Sequence, residues 1–246
     1  PELPSGGIIA DIATYVAPPN NVYRLNTDIL NVQGAAAHAG RLYVSLRRNN
    51  LIRVIDGKTA RQIKDIPLKA PAGLAFRADG TLLVVSAGQV VVVDVETGQA
   101  TPLITAGLGK PHQVCAAPDG TILVSDWDSM NVKRFSADGQ KLLNTIGKTG
   151  GRPLMGAWDE LRHGLHRPWG VAVDSRNQVW IAEDWDSPRR LSVWTLDGTF
   201  QREYLGPGFY SAGGLLDPAD RTRAYYWNME FRLDYENATS SMTGVV

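Results

Sequence analysis

The chain has 246 residues, 43% of them hydrophobic, and 25 basic residues balance 25 acidic ones to give a formal net charge of zero. This length suffices for one large domain or at most two. Without a concentrated basic face, neither nucleic acid nor an anionic membrane is an expected partner. The longest nearly apolar run, 81–95, contains four interruptions, so no bilayer span is predicted. A single cysteine, Cys115, excludes an internal disulfide framework.

Glycines that follow strand-like segments recur along the chain. Gly57, Gly98 and Gly139 lie 41 residues apart, and Gly198 follows after one further period and an insertion. A fixed period of this kind is typical of repeat architectures. It divides the chain into six units, namely 5–32, 33–68, 69–108, 109–151, 152–209 and 210–246.

Each unit holds short runs of Val, Ile, Leu and aromatic residues between Gly, Asp and Asn turns, a pattern that predicts antiparallel strands. A further segment opens with Pro-x-Gly or a similar sequence, at 71–75, 111–115 and 168–172, and its small residues suit a strand crowded near a central axis. Four strands in about 40 residues are typical of one blade of a β-propeller. We therefore predict an all-β fold, a single domain over 1–246 built as a six-bladed propeller of four-stranded blades. The insertion at 148–167 is expected to form a loop with a short helix.

Two stretches, 123–139 and 181–198, share the same order of a strand, an Asp-Trp-Asp loop, a second strand and an Asp-Gly turn. Together with Pro-Trp-Gly-Val-Ala-Val-Asp at 168–174, the later stretch resembles an NHL repeat, and the resemblance is strongest over 109–205. It implies a six-bladed NHL-like propeller, with part of a larger propeller as the alternative architecture. The chain begins at Pro1, without Met, so we interpret it as a processed form or as part of a larger polypeptide.

If strands a to d of each blade alternate in direction, then the start of strand a, the b–c loop and the d–a loop share one face, which we call the loop face. Long loops on a rigid scaffold commonly carry binding sites. We therefore predict a ligand site on this face. Its candidate ligand-binding residues are Arg47, Arg48, His112, Asp128, Trp158, Trp169, Asp186, Arg190, Asn228 and Glu230.

His112 is the candidate catalytic residue and, with Asp126 and Asp184, a candidate metal ligand, because its place at the start of a strand a puts it near the channel mouth. The competing interpretation is structural. A histidine there can simply bond a neighbouring loop, and an acidic residue after strand b commonly holds the b–c loop through backbone N–H groups. Two carboxylates from adjacent blades could hold Ca²⁺, and a histidine could ligate Zn²⁺. We nevertheless expect no cofactor.

Three classes of function follow. The first is a binding or interaction domain that takes a peptide, a glycan or a protein on the loop face, in a secreted or periplasmic setting. The second, implied by resemblance to amidating and streptogramin lyases, is a metal-dependent lyase or hydrolase with its site around His112. A three-histidine zinc site would need further histidines where this chain has Ala72 and Trp169. The third is a structural domain of a large extracellular protein. We favour the first.

Overall fold

The computed structural model describes residues 31–153, 155–183, 188–206, 214–226 and 228–245. The first predicted unit, 5–32, therefore lies almost wholly outside the described residues. The remaining five units each form an antiparallel sheet, and four of these sheets have their strands in simple sequence order. Within the described residues, no helix is long and apolar enough to cross a membrane.

The strands fall where the repeat predicts them. The first sheet comprises β1 Val32–His38, β2 Arg41–Leu46, β3 Leu51–Asp56 and β4 Gln62–Pro67. The second comprises β5 Pro71–Phe76, β6 Leu82–Ser86, β7 Gln89–Val93 and β8 Ala100–Ile104. The third comprises β9 Pro111–Ala116, β10 Ile122–Asp126, β11 Asn131–Phe135 and β12 Leu142–Ile146. The fourth comprises β14 Pro168–Val173, β15 Gln178–Glu183, β16 Arg189–Thr195 and β17 Phe200–Gly206.

The fifth sheet contains a strand that the repeat did not predict. Its core is β18 Leu215–Leu216, β19 Arg223–Tyr226, β20 Met229–Asp234 and β21 Thr239–Val245. Outside β21 lies β13, Gly156–Ala157, which comes from the insertion and pairs with Val245 and Gly244. The predicted short helix follows as α1, Trp158–Leu161. Trp158 and Leu161 pack with Met229, Met242 and Val245 of the fifth sheet, so the insertion of one unit is joined to the outer edge of another.

The first four sheets stack through their b and c strands. In β6 every residue is buried, because the sheet is enclosed by a neighbour on each side. Leu82 and Val84 pack toward the first sheet, whereas Leu83 and Val85 pack toward the third. Full burial of one such side chain contributes about 1.5–3 kcal/mol. A continuous apolar run, rather than an alternating one, is therefore the pattern that an inner strand of a stacked blade requires.

The a strands meet at the axis, where the close approach of the backbones leaves no room for a side chain at Gly34 and Gly73. β1, β5, β9 and β14 contact one another in that order. A Cβ atom added to Gly34 would lie 3.0 Å from Gly73 Cα, and one added to Gly73 would lie 2.5 Å from Gln113 Cα. This crowding confirms the predicted axial position of the small-residue segments. It also brings the starts of these strands, and whatever side chains they carry, to a shared opening.

Candidate functional site

A cavity of about 300 Å³ opens on the predicted loop face, among the first four blades. Its walls come from the starts of three a strands, from b–c loops and from d–a loops, as the alternation of strand directions requires. The described lining residues are Gln33, Arg47, Ala70, Val85, Ala87, Gly88, Gly109, Lys110, Pro111, His112, Trp127 and Trp169. Arg47, Lys110, His112, Trp127 and Trp169 are the chemically distinctive members, and we call these five residues the mouth cluster.

Three rings of the mouth cluster pack against one another. The His112 ring stacks on Trp127, with centroids 4.7 Å apart and planes 16° apart, and its centroid lies 3.9 Å from that of Trp169. The two indole centroids are 5.1 Å apart. His112 is buried, whereas Trp169 remains 37% exposed. The result is a rigid aromatic wall that keeps part of one indole accessible.

Hydrogen bonds between blades fix this wall. Trp127 donates from Nε1 to the carbonyl of Pro168 at 3.1 Å, which joins the b–c loop of the third blade to the start of β14. Ser125 Oγ donates to the carbonyl of Trp169 at 3.2 Å and accepts from the backbone N–H of Gln113 at 2.9 Å. The rings are thus held before any ligand arrives, which reduces the entropy that binding would have to offset.

His112 is a neutral imidazole at pH 7. Burial, followed by the nearby charges of Arg47 and Lys110, lowers its pKa to about 4. Its Nδ1 atom is buried and has no hydrogen-bond partner among the described residues. A neutral imidazole offers one donor and one acceptor. His112 therefore retains hydrogen-bonding capacity at Nδ1 that no described residue uses.

Asp126 has the structural role. Its carboxylate accepts backbone hydrogen bonds from Gly109 at 2.7 Å and from Lys110 at 2.9 Å, and Lys133 Nζ lies 2.6 Å away. Burial would raise its pKa, but Lys133 and the two backbone donors outweigh that effect and hold the pKa at about 2. The carboxylate thereby fixes the d–a loop that carries Lys110 into the mouth.

The strand register changes which residues of the two Asp-Trp-Asp loops are equivalent. The sequence repeat aligns Asp184 with Asp126, but Asp126 is paired with Pro111 and Glu183 is paired with Pro168. Like Asp126, Glu183 accepts a hydrogen bond from the d–a loop, here from the His166 N–H at 2.7 Å. Glu183 is thus the counterpart of Asp126. Asp184 and Asp186 lie outside the described residues.

Two predicted ligand contacts, Trp158 and Arg190, lie instead in a buried ionic network. Arg190 Nη1 is 3.0 Å from Glu183 Oε1, and Arg190 Nε is 2.7 Å from Glu203 Oε2. Arg152 pairs with the second oxygen of Glu183. Trp158 donates from Nε1 to Glu203 at 2.7 Å and has both guanidinium groups 5.5 Å from its ring. We call these five residues the insertion cluster.

The other predicted contacts are dispersed. Arg48 and Asp128 are exposed and do not line the cavity. Glu230 forms an ion pair with Arg223 at 3.0 Å within the fifth sheet. Asn228 is half-buried, and its Oδ1 has no partner among the described residues. Within the described residues, the members of the predicted ligand set that line the cavity are Arg47, His112 and Trp169.

Sequence reasoning missed Lys110 and Trp127 as members of the site. Lys110 ends a d–a loop and Trp127 lies in a b–c loop, so the rule that places these loops on one face was sufficient to find both. Gly109 precedes Lys110 because an added Cβ would lie 2.8 Å from Asp128 Cβ. The sequence feature that identifies these two residues is therefore their position in loops of the same face, which follows from the strand directions.

The donor set around His112 does not fit a metal ion. Its ring neighbours are indoles and its charged neighbours are cations, which disfavour a divalent ion. Both oxygens of Asp126 are committed to protein donors. Across the described ranges, no group of three His, Cys, Asp or Glu side chains is placed to hold a metal. The residues around His112 therefore do not support a metal-dependent reaction.

Comparison with known proteins identifies the fold. No family model and no curated protein matches the chain. Among solved structures, the chain is similar to hydrazine synthase of Kuenenia stuttgartiensis, with 14% identity over 84% of this chain and a TM-score of 0.56. It spans 57% of the length of that hydrazine synthase chain.

Two further solved structures cover more of their own chains. Virginiamycin B lyase from Staphylococcus aureus is 14% identical over 86% of this chain and 69% of its own, with a TM-score of 0.52. A chain of a nidogen/laminin complex is 18% identical over 86% of this chain and 79% of its own, with a TM-score of 0.53. Identities this low concern architecture alone. Together with the stacked four-stranded sheets, the similarity to these solved structures confirms that this chain has a β-propeller fold.

Proposed function

We propose that this chain is a ligand-binding or interaction domain, an NHL-like propeller of six blades that works outside the cytoplasm and takes its ligand at the mouth cluster. One observation carries the proposal: three fixed rings form one wall of a cavity of about 300 Å³ and leave Trp169 37% exposed to it. This volume lies at the lower end of the range of ligand pockets, about 300–1,000 Å³. Rigid aromatic side chains around a pocket are typical anchors for a bound partner.

The fold neighbours are compatible with two kinds of role. The nidogen/laminin structure is a complex between proteins, and virginiamycin B lyase is an enzyme. At identities of 18% and 14%, neither activity carries over to this chain. The site itself favours binding, because its charged residues are cations and its rings are already packed.

The alternative is a lyase or hydrolase that uses His112. Its buried and unpartnered Nδ1 is the observation that favours this alternative. A pKa of about 4 makes this imidazole a weak base, and no carboxylate of the described lining orients it. We therefore rank catalysis second, and propose binding that needs no metal.

A binding screen tests the proposal. Purified protein would be applied to immobilised peptide and glycan libraries, and any hit would be measured again with Trp169→Ala. We expect capture of the hit to weaken at least about fivefold, since loss of one stacked ring removes about 1–3 kcal/mol of contact. Tyr204→Ala is the matched control, because Tyr204 is an aromatic residue of β17 that is 52% exposed and outside the cavity.

Equal losses in the two variants would contradict a site at the mouth. The catalytic alternative has its own readout. After treatment with a chelator, the binding protein should retain its affinity, whereas a metal-dependent enzyme would lose turnover. His112→Ala should then abolish turnover of a hit only if the alternative is correct.

A further inference from the structure

The charges around the cavity are one-sided. Its described lining contains two cationic side chains, Arg47 and Lys110, and no Asp or Glu. Both cations are exposed. No salt bridge within the described ranges joins either of them to a carboxylate. The described lining therefore carries a net positive charge that no described carboxylate neutralises.

The nearby carboxylates do not cancel this charge. Asp126 holds the backbone of Lys110, but its own charge is matched by Lys133 Nζ at 2.6 Å. Asp128 is exposed at the rim, beside Gly109, and does not line the cavity. His112 is affected by this positive charge, because Arg47 and Lys110 both act to lower its pKa. An anion placed in the cavity would relieve this repulsion.

The shape of the wall adds a second requirement. Trp169 offers part of an indole face, and the hydrogen bond from Trp127 Nε1 to Pro168 holds the neighbouring indole in place. A flat ring, or the C–H face of a sugar ring, stacks on such a surface. The neutral imidazole of His112 adds a polar group to the lining. The cavity thus combines a stacking surface, polar contacts and a positive edge.

We infer that the mouth cavity binds a small carboxylate that bears a ring, either an acidic sugar or an aromatic acid, with the ring against Trp169 and the carboxylate between Arg47 and Lys110. This inference rests on the proposed binding function and specifies its ligand class. Charge-assisted hydrogen bonds from Arg and Lys to a carboxylate are about twice as strong as neutral ones, which gives the acid its advantage. A volume of about 300 Å³ leaves room for one ring and its acidic group.

Matched pairs of probes test the inference by calorimetry and tryptophan fluorescence on the full chain. The pairs are glucuronate with glucose, and phenylacetate with phenylacetamide. We expect at least one acid to bind at least about tenfold more tightly than its neutral counterpart. A difference within the glucuronate pair indicates an acidic sugar as the ligand, whereas a difference within the phenylacetate pair indicates an aromatic acid. The difference should narrow as salt is raised, because exposed charges are screened.

Variants separate charge from shape. Arg47→Gln combined with Lys110→Gln should remove the preference for the acid, so that the acid and its neutral counterpart bind with similar affinity. Asp128→Asn removes the negative charge at the rim and should strengthen binding of the acid severalfold. Both cations are exposed, so these variants are expected to fold, and thermal unfolding checks this directly.

Equal affinity for acid and neutral compound overturns the inference, as does failure of both acids to bind. In either case the proposed function is judged separately. It stands if Trp169→Ala still abolishes capture of a hit from the peptide or glycan screen, and it fails together with the inference if no hit depends on Trp169.

Discussion

The mouth cluster and the insertion cluster each combine tryptophan with two cationic residues, but the cations are in opposite states. In the insertion cluster, Arg152 and Arg190 are buried and both are paired with Glu183. In the mouth cluster, Arg47 and Lys110 are exposed and have no carboxylate partner among the described residues.

The difference separates structural charge from functional charge. A buried arginine must be paired, since removal of a charge from water costs several kcal/mol. Once paired, it holds the insertion to β15 and β17 and has nothing left to offer a ligand. An exposed cation that no carboxylate matches contributes little to folding and remains available. Residue type alone does not distinguish the two states; the presence of a partner does.

The largest effect is expected from Glu183→Gln. This change leaves Arg152 and Arg190 buried with one carboxylate fewer, and loss of one partner of a buried pair costs about 3–5 kcal/mol. Chemical denaturation measures the loss. Glu160→Gln is the control, because Glu160 is an exposed acid of α1 and should change stability by less than about 0.5 kcal/mol. Similar stabilities for the two variants would show that the insertion cluster is not structural.

A smaller loss is expected from Asp126→Asn. The amide keeps one acceptor oxygen but loses the charge that Lys133 and two backbone N–H groups address, which costs about 1.5–3 kcal/mol. Asp128→Asn, two residues further along the same loop, is exposed and should be close to neutral for folding. If Asp126→Asn unfolds at the wild-type denaturant concentration, the mouth loop does not depend on this carboxylate.

The pH dependence of folding tests the state of His112. Its pKa of about 4 in the folded state lies below the usual histidine value of 6.5. Between pH 4 and pH 6.5 the folded state therefore binds fewer protons than the unfolded chain. Stability from the neutral imidazole is fully present above pH 6.5 and is lost as the pH falls toward 4. In His112→Gln, the slope of unfolding free energy against pH should fall by up to about one proton, or about 1.4 kcal/mol per pH unit.

His166 provides the internal control for this slope. Burial, followed by the charges of Arg152 and Arg167, also lowers its pKa to about 4. The double variant with His166→Gln should therefore lose roughly twice as much of the slope as the single variant. Denaturation curves collected between pH 4 and 7 give the comparison. Superimposable slopes for wild type and His112→Gln would mean that folding does not lower the pKa of His112.

The smallest effect is expected from Arg47→Gln. Because this side chain is exposed and has no carboxylate partner within the described residues, its loss should change the unfolding free energy by no more than about 0.5 kcal/mol in either direction. Arg190→Gln is the opposing control, since it removes a buried and paired guanidinium. Comparable destabilisation by the two changes would erase the distinction between the clusters.

The fold was largely predictable from the sequence because its determinants are local and periodic. The 41-residue spacing of Gly57, Gly98 and Gly139 placed the strands within one or two residues, and the small residues at 71–75 indicated the crowded axis. The β-propeller prediction is confirmed. Assignment to the NHL family remains a prediction.

The site was less predictable because its partners are distant in sequence. Nothing local in Trp158 or Arg190 reveals that Glu203 and Glu183 will pair with them, 45 residues from the indole and seven from the guanidinium. Glu183 was overlooked for a different reason. The two Asp-Trp-Asp loops are 58 residues apart, whereas Pro111 and Pro168, and with them Asp126 and Glu183, are 57 residues apart. Alignment of the loops therefore displaced the acidic anchor by one position.

The two-residue strand β13 has a consequence beyond the blade it joins. Its pairing with Gly244 and Val245 covers part of the outermost strand of the fifth sheet, where unsatisfied amide and carbonyl groups would otherwise attract another molecule. Release of the insertion would open that border to strand exchange between copies. The ion pairs of Glu183 would then protect against aggregation as well as unfolding, and samples of Glu183→Gln should form oligomers at concentrations where the parent protein stays monodisperse.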